Sequence, residues 1–245
     1  MILAFETSGR PGSVAIAEKE DVREQVLEGD ASELRDACAR LLGSELSQVA
    51  GYAISIGPGS FTGLRVGVSF LKGLAFVHPR PVAAVSSLEV LAYGLMTDAE
   101  ASRPKTVHAE SGALALERFR EVGARILSVV DARRGSVFAA LYRVAGEGRL
   151  LADEMLVEGL YRVEAVSRLT QSLPLVIAVG DGALLVDARS VSAMAPPSRW
   201  IGRAAVLAKL GTSYLAAGLG VEADTLEPVY HQVSGAEEKL GMPPG

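Results

Sequence analysis

The chain contains a single cysteine, Cys38, among 245 residues, so an intrachain disulfide and any zinc site built from several thiolates are excluded. Histidine is almost as scarce. His78, His108 and His231 lie far apart, and none has the H-x-x-x-H or H-E-x-x-H spacing that sets two imidazoles on one helix face. No apolar run approaches the roughly 18 residues that a membrane-spanning helix needs. A cationic surplus is missing as well: 24 Lys and Arg stand against 29 Asp and Glu, a net charge of −5, which argues against strong binding of nucleic acid through counterion release. Met1 to Phe5 is apolar without a basic flank. The expectation is therefore a soluble, unprocessed protein of a reducing cytoplasm, with no membrane segment.

What is present reads as an α/β chain. Nearly half of the residues, 49%, are apolar, enough to bury a large core without staples. The segments ILAFE and SVAIAE, with Gly9, Pro11 and Gly12 between them, predict a β-hairpin. Asp30 with Glu33 has the spacing of a capping box, ahead of Leu34, Ala37, Cys38, Leu41 and Leu42 at helical intervals. Tyr52 to Ile56 predicts a buried strand, Gly57-Pro58-Gly59 a turn, and Phe61 to Val77 a helix halted by His78-Pro79. A strand over 82–85 comes next, and Ser86 with Glu89 marks a second capping box. Composition turns polar between Thr97 and Arg125, which is where a domain boundary falls, and 113–122 predicts a helix. Ile126 to Tyr142 repeats the opening pattern of strand, acid and Gly-Ser-Val, and so predicts two lobes related by pseudo-symmetry. A helix over 163–173, a strand over 175–179, a turn at Gly180-Asp181-Gly182, a long helix over 198–217 and a poorly ordered tail over 235–245 complete the expectation.

Three places could carry chemistry. The run Gly57, Gly59, Ser60, Thr62 lies where a strand meets a helix, so free backbone N–H groups could hold a phosphate or carboxylate. It is neither a P-loop nor G-x-G-x-x-G, and a purely structural turn fits equally well. Glu6, Thr7, Ser8 and Gly9 could face a magnesium-bound nucleotide from the first hairpin, although glutamate would shift a metal by about an ångström relative to aspartate. Asp131, on the second hairpin, and Asp181, between Gly180 and Gly182, are the other candidates; each is more often an ordinary turn or capping residue. Arg118, Arg120, Arg125, Arg133 and Arg134 lie close together but are interleaved with acids, the pattern of a solvated face more than of an RNA patch. Ser60 lacks the G-x-S-x-G setting of a nucleophilic serine. The predicted helix after the glycine turn carries Gly63, Gly67 and Gly73, which together cost roughly 2–3 kcal/mol relative to alanine. Close approach of another backbone is the natural offset, whether from this chain's own sheet or from a second protein meeting Gly63, Gly67 and the stripe of Leu64, Val68, Leu71 and Ala75.

The runs ISIGPGSFTGLRVGVSFLKGLA (54–75), AVSSLEVLA (84–92) and VVDARRGSVFAALY (129–142), with the N-terminal hairpin, VGDGA (179–183) and EPVY (227–230), closely resemble the TsaB/YeaZ family in order and over most of the chain. The resemblance implies an actin/hexokinase-like (ASKHA) fold of duplicated ribonuclease-H-like lobes with mixed sheets. Residues 1–105 would form the N-terminal lobe, joined by the helix at about 198–220, and residues 106–197 the smaller lobe. It also implies loss of the metal and catalytic residues, and a role as non-catalytic dimerisation and activator subunit of a TsaD-type transferase that makes N6-threonylcarbamoyladenosine beside the tRNA anticodon. A TsaE-type ATPase would be a further partner, and tRNA would be engaged through the complex. The subunit contact would use Leu34, Cys38 and Leu41 with Gly63, Leu64, Gly67, Val68 and Leu71, in a heterodimer or a homodimer. No cofactor is expected to bind tightly, with ATP or ADP placed only at a subunit interface. Ala31 stands where members commonly have histidine. The competing expectation is an independent small-molecule kinase, or a glycopeptidase-like enzyme, of the same superfamily.

Overall fold

The structure, a computed structural model, describes residues 1–29, 33–43, 45–97, 121–146 and 149–229. The chain divides, within one helix, into a unit of residues 1–90 and 202–229 and a unit of residues 91–201 and 230–245.

The first unit is built on a five-stranded mixed sheet. β1 (Ile2–Glu6) pairs antiparallel with β2 (Ser13–Glu18), as expected, and β2 pairs antiparallel with β3 (Asp21–Val26). On the other side β1 runs parallel to β4 (Gly51–Ser55), and β4 parallel to β5 (Val82–Val85). The spatial order is β3-β2-β1-β4-β5. Helices α1 (Leu34–Leu42), α2 (Phe61–Val77) and α3 (Ser87–Thr97) come after β3, β4 and β5 in sequence.

Side-chain alternation explains how both faces of this sheet are covered. Leu3, Phe5, Val14, Ile16, Tyr52, Ile54 and Val82 join one core with Leu34, Ala37 and Cys38 of α1 and Val68, Leu71 and Ala75 of α2. The intervening positions, Ala4, Ala15, Ala17, Ala53 and Ala83, are buried alanines on the opposite face. That shallow face takes α5 (Ala204–Ala216), which packs on β1, β2, β4 and β5. Gly211 sits so close that an added Cβ would lie 2.5 Å from the Ala53 Cβ.

The last long helix was expected from residue 198. Instead Pro197–Arg199 forms a 3-10 turn and the helix begins at Ala204. The start is fixed by strands nearly two hundred residues away. Ala204 N–H donates to Ser13 Oγ (2.9 Å), Ala205 N–H to Glu24 Oε1 (3.3 Å), and Arg203 clasps the Glu24 carboxylate with Nε and Nη2. A carboxylate at a helix N-terminus also suits the helix dipole. The chain then closes the unit through Leu226, which is buried, and Val229 N–H, which donates to Ile56 O (2.8 Å).

The second unit repeats the plan. β6 (Arg125–Asp131) and β7 (Ser136–Val144) form the second hairpin. β8 (Leu150–Ala152) and β9 (Gly159–Arg162) both pair antiparallel with β7, while β10 (Val176–Val179) runs parallel to β6 and β11 (Ala193–Met194) parallel to β10. The order β11-β10-β6-β7-β8 is that of the first sheet, strand for strand, which is the duplicated ribonuclease-H-like arrangement expected. α4 (Val163–Gln171) places Val166 in the core of Leu127, Val129, Val137, Ala139 and Leu141.

Of the two capping boxes, Asp30 lies outside the described residues; Glu33 Oε2 accepts from Glu28 N–H (2.9 Å). Ser86 Oγ caps Leu88 N–H (3.1 Å), and the Glu89 carboxylate accepts from Tyr214 Oη of α5 (2.6 Å). Most of the helix expected over 113–122, and the tail over 235–245, also lie outside the described residues. Because α5 rests on alanines, Gly211→Val should lower stability by about 1–3 kcal/mol. Urea unfolding, monitored by circular dichroism, should show a lower midpoint for this variant with an unchanged slope.

Candidate functional site

The end of β1 and the start of α2 form one compact assembly. The turn after β4 brings Gly59 and Ser60 against the backbone of Ser8, while Gly57 packs on Val229 and Leu64. Ser60 N–H donates to Ser8 O (2.7 Å), and Ser60 Oγ caps α2 by accepting from Gly63 N–H (3.2 Å). Gly59, Gly63 and Gly67, spaced by four, lie along one helical track. Added Cβ atoms there would collide with Ser8 O, Thr7 O and Thr7 Oγ1 respectively. These glycines admit this chain's own β1–β2 turn, not a second protein.

The same geometry disposes of Glu6. The residue is 1% exposed. Oε1 accepts three bonds, from Ser8 N–H (2.8 Å), Ser8 Oγ (2.5 Å) and Ser55 Oγ (2.8 Å), while Oε2 has no hydrogen-bond partner. An added Cβ on Gly202 would lie 3.1 Å from Oε2. Burial pushes the Glu6 pKa up, against the lowering effect of the serine hydrogen bonds, and the charge of Glu24 raises it further. Through Oε1 this buried carboxyl ties β1, its turn and β4 together. Thr7 is likewise buried, its hydroxyl unpartnered against α2.

A small cavity of about 160 Å³ does open beside this assembly, lined by Thr7, Gly9, Arg10, Gly12, Leu27, Gly29, Ser60, Thr62, Gly63 and Val66. Sequence reasoning missed Arg10, the charged member of this lining, although it stands in the glycine-rich turn.

In the second unit Gly180, Asp181 and Gly182 wrap the end of β6. Asp181 Oδ1 accepts from Asp131 N–H (2.9 Å), and Asp131 Oδ1 accepts from Arg133 N–H (2.7 Å). An added Cβ on Gly180 would strike Val129 O, and one on Gly182 would lie 2.7 Å from Val129 Cγ1. The two aspartates hold backbone, and both belong to the second unit, whereas Glu6 belongs to the first.

The side chains expected at a subunit contact are mostly not on the surface. Leu34, Cys38, Leu64, Val68 and Leu71 are buried in the unit's own core and Leu41 is half-buried. The opposite face of α2 is open instead. Phe76 is 89% and Val77 76% exposed, and Phe61 and Val66 are exposed farther up the same helix. Ser69 and Gly73 between them are exposed too, with open space around Gly73.

Two consequences can be measured. Neutral Glu6 supports the fold fully below the unfolded carboxyl's pKa, and that support is lost as pH rises through the raised folded value. Glu6→Gln should therefore flatten the decline in melting temperature between acidic and neutral pH relative to the unmodified chain. Gly67→Val should lower stability by about 1–3 kcal/mol through overpacking against Thr7, seen as an earlier thermal transition of the isolated chain.

Comparison with known proteins gives a consistent set. A family model described as TsaD: tRNA N6-adenosine threonylcarbamoyltransferase matches residues 30–114. The tRNA threonylcarbamoyladenosine biosynthesis protein TsaB of Escherichia coli K12 is 30% identical over 132 residues, 54% of this chain and 46% of that protein. Its namesake from Bacillus subtilis 168 is 34% identical over 116 residues, 43% and 40% of the two chains. The aligned part thus spans less than half the length of these curated relatives. Solved structures match more completely. A Pseudomonas aeruginosa protein described by its similarity to peptidase YEAZ superposes with a TM-score of 0.73 at 27% identity, over 94% of this chain and 99% of the other. YeaZ from Pseudomonas aeruginosa does so with a TM-score of 0.67 at 26% identity, over 94% and 98%.

Proposed function

We propose that this chain, similar to the TsaB proteins of two bacteria and to YeaZ of a third, acts in tRNA threonylcarbamoyladenosine synthesis as a non-catalytic subunit that docks and activates a TsaD-type transferase. The observation that carries this reading is the pairing of a sealed hairpin with an open helix. The acid at the position where a kinase of this superfamily would hold its metal is buried under its own turn. α2 meanwhile turns phenylalanine and valine into solvent.

An apolar side chain exposed to 89% gains nothing from the folded monomer. Burying it against a partner recovers ~25 cal/mol for each Å² of apolar surface removed from water. Ser69 and Gly73 let a second helix approach within the short distances that small residues allow, and Phe76 then serves as the knob beside them. The occupant we assign to this face is the TsaD-type catalytic subunit of the same genome. The expected contact thereby moves from the inward stripe of α2 to its outward one.

ATP or ADP fits this picture only as a ligand completed by a partner. The cavity of about 160 Å³ beside Arg10 is smaller than the roughly 300–1,000 Å³ of ordinary small-molecule sites, and the neighbouring hollow of about 730 Å³, which shares Arg10, Leu27 and Gly29, is open to solvent. The smaller cavity adjoins α2 at Val66, so a nucleotide bound there would lie near the docking face. A TsaE-type ATPase and tRNA would join through the assembled complex.

The test is co-purification of this chain with that transferase subunit, followed by a tRNA threonylcarbamoylation assay with and without the chain. A stable complex whose activity depends on the chain is the expected result. Phe76→Asp should abolish the complex while leaving the melting temperature of the isolated chain within about 1 °C, as for an exposed substitution. Normal assembly by this variant, or activity indifferent to the chain, would refute the assignment.

A further inference from the structure

The tip of the β6–β7 hairpin is the one described segment with three consecutive residues at positive φ. Arg133, Arg134 and Gly135 are consecutive, with φ of 67°, 53° and 72°. The turn closes through Ser136 N–H donating to Arg133 O (3.0 Å). Its two central positions are therefore Arg134 and Gly135, where Asn-Gly is the pair that left-handed backbone favours. Long side chains at two left-handed positions in a row are unfavourable for the fold itself. The Gly180-Asp181-Gly182 wrap and the Asp131 carboxylate hold the backbone in place, but neither requires arginine at the tip.

A third guanidinium is brought to the same place by strand pairing. Ser136 of β7 stands opposite Arg162 of β9. Arg162 Nη1 donates to Arg134 O (2.8 Å), and its guanidinium lies across the turn, 3.3 Å from where a Cβ of Gly135 would be. Arg133 and Arg162 have side chains 83% and 64% exposed. The neighbouring acids are engaged locally. Asp131 accepts from Arg133 N–H and pairs with Arg133 Nη1 (3.0 Å), Asp181 holds Asp131 N–H, and Glu164 lies 4.0 Å from Arg162 Nε. Every basic residue from 121 to 201 is arginine, with no lysine among them. Arginine presents a planar fork with donors to spare after one ion pair, which is the geometry that phosphate recognition uses.

We infer that Arg133, Arg134 and Arg162 form a contact for the phosphodiester backbone of RNA, held ready by the strained turn. A projecting hairpin tip suits a strand passing across it; a small phosphate compound would need a concave site. Choosing RNA over an acidic protein rests on the proposed role in tRNA modification. The contact positions the nucleic acid and reads no base.

The probe is a fluorescently labelled, unmodified tRNA transcript, titrated with the full chain alone and with its complex with the transferase subunit, across a salt series. Arg133→Gln/Arg134→Gln should weaken binding about tenfold near physiological salt and reduce the slope of log K against log salt by about 1–2. Arg133→Lys/Arg134→Lys should keep most of the slope. Arg189→Gln, which removes an exposed arginine paired with Asp187 elsewhere in this unit, should change neither. Melting temperatures of all variants establish that the fold is intact. Unchanged affinity and slope in the double Gln variant, or equal loss in Arg189→Gln, overturns the inference. Release of the transferase subunit with tRNA binding intact overturns it too, in favour of a protein contact. If the unmodified chain forms no complex yet binds tRNA through these arginines, the subunit reading fails and the RNA contact stands.

Discussion

The backbone of Thr7 and Ser8 lies directly on the first two turns of α2, and most features of the first unit depend on that contact. Three glycines four residues apart remove every Cβ that would hold the turn away. Ser60 joins the two segments through its N–H and caps the helix with its hydroxyl. The glycines inside α2, Gly63, Gly67 and Gly73, would weaken an isolated helix by roughly 2–3 kcal/mol, so α2 depends on tertiary contact for its existence. With the turn pressed down, the Glu6 carboxyl has nowhere to go except inward, to Ser8 and Ser55. The contact that makes the helix thus also removes the acid from solvent. A substitution that lifted the turn would loosen β1, β4 and α2 together.

The second unit uses the same device with a different outcome. Gly180 and Gly182 bring the turn after β10 onto Val129 to Asp131, as the turn after β4 is brought onto Thr7 and Ser8. The chain then continues into a 3-10 turn, Asp181–Leu185, in place of a long helix. The acid there is only partly buried, and it fixes the backbone of a hairpin whose tip carries arginines. Duplication preserved strand order and the glycine wrap, and the polar groups then diverged. One hairpin became a sealed structural joint, and the other presents charge.

How much of this was legible depended on whether a residue's partner lay near it in sequence. Hairpins, the strand over 52–56, the extent of α2 and the apolar stripe of Leu64, Val68, Leu71 and Ala75 can be read from local period and breakers, and all four stripe residues are buried. β3 escaped notice because DVREQV is an edge strand with polar residues at four of its six positions. β8 and β11 are only three and two residues long. The start of α5 was misplaced by six residues because its caps, Ser13 and Glu24, belong to the first hairpin region. The track of Gly59, Gly63 and Gly67 advertised close approach but could not name the approaching backbone, which comes from about fifty residues earlier.

That ambiguity bears on where the protein meets other molecules. A helix with small residues on two faces can be turned either way by sequence reasoning alone, and family resemblance made the inward face look like the contact. Thr7 occupies that face. On the opposite face Val66, Phe76 and Val77 are exposed apolar side chains, with Ser69 and Gly73 between them. The proposed contacts, an apolar face on α2 and an arginine tip on β6–β7, would act by opposite physics. The first works by excluding water from a flat apolar strip and is nearly indifferent to salt; the second works through charge and weakens as ionic strength rises. Each copy of the fold retains the glycine wrap that stabilises it and is free to vary the residues outside it, so surfaces of opposite physical character can be carried by one duplicated chain.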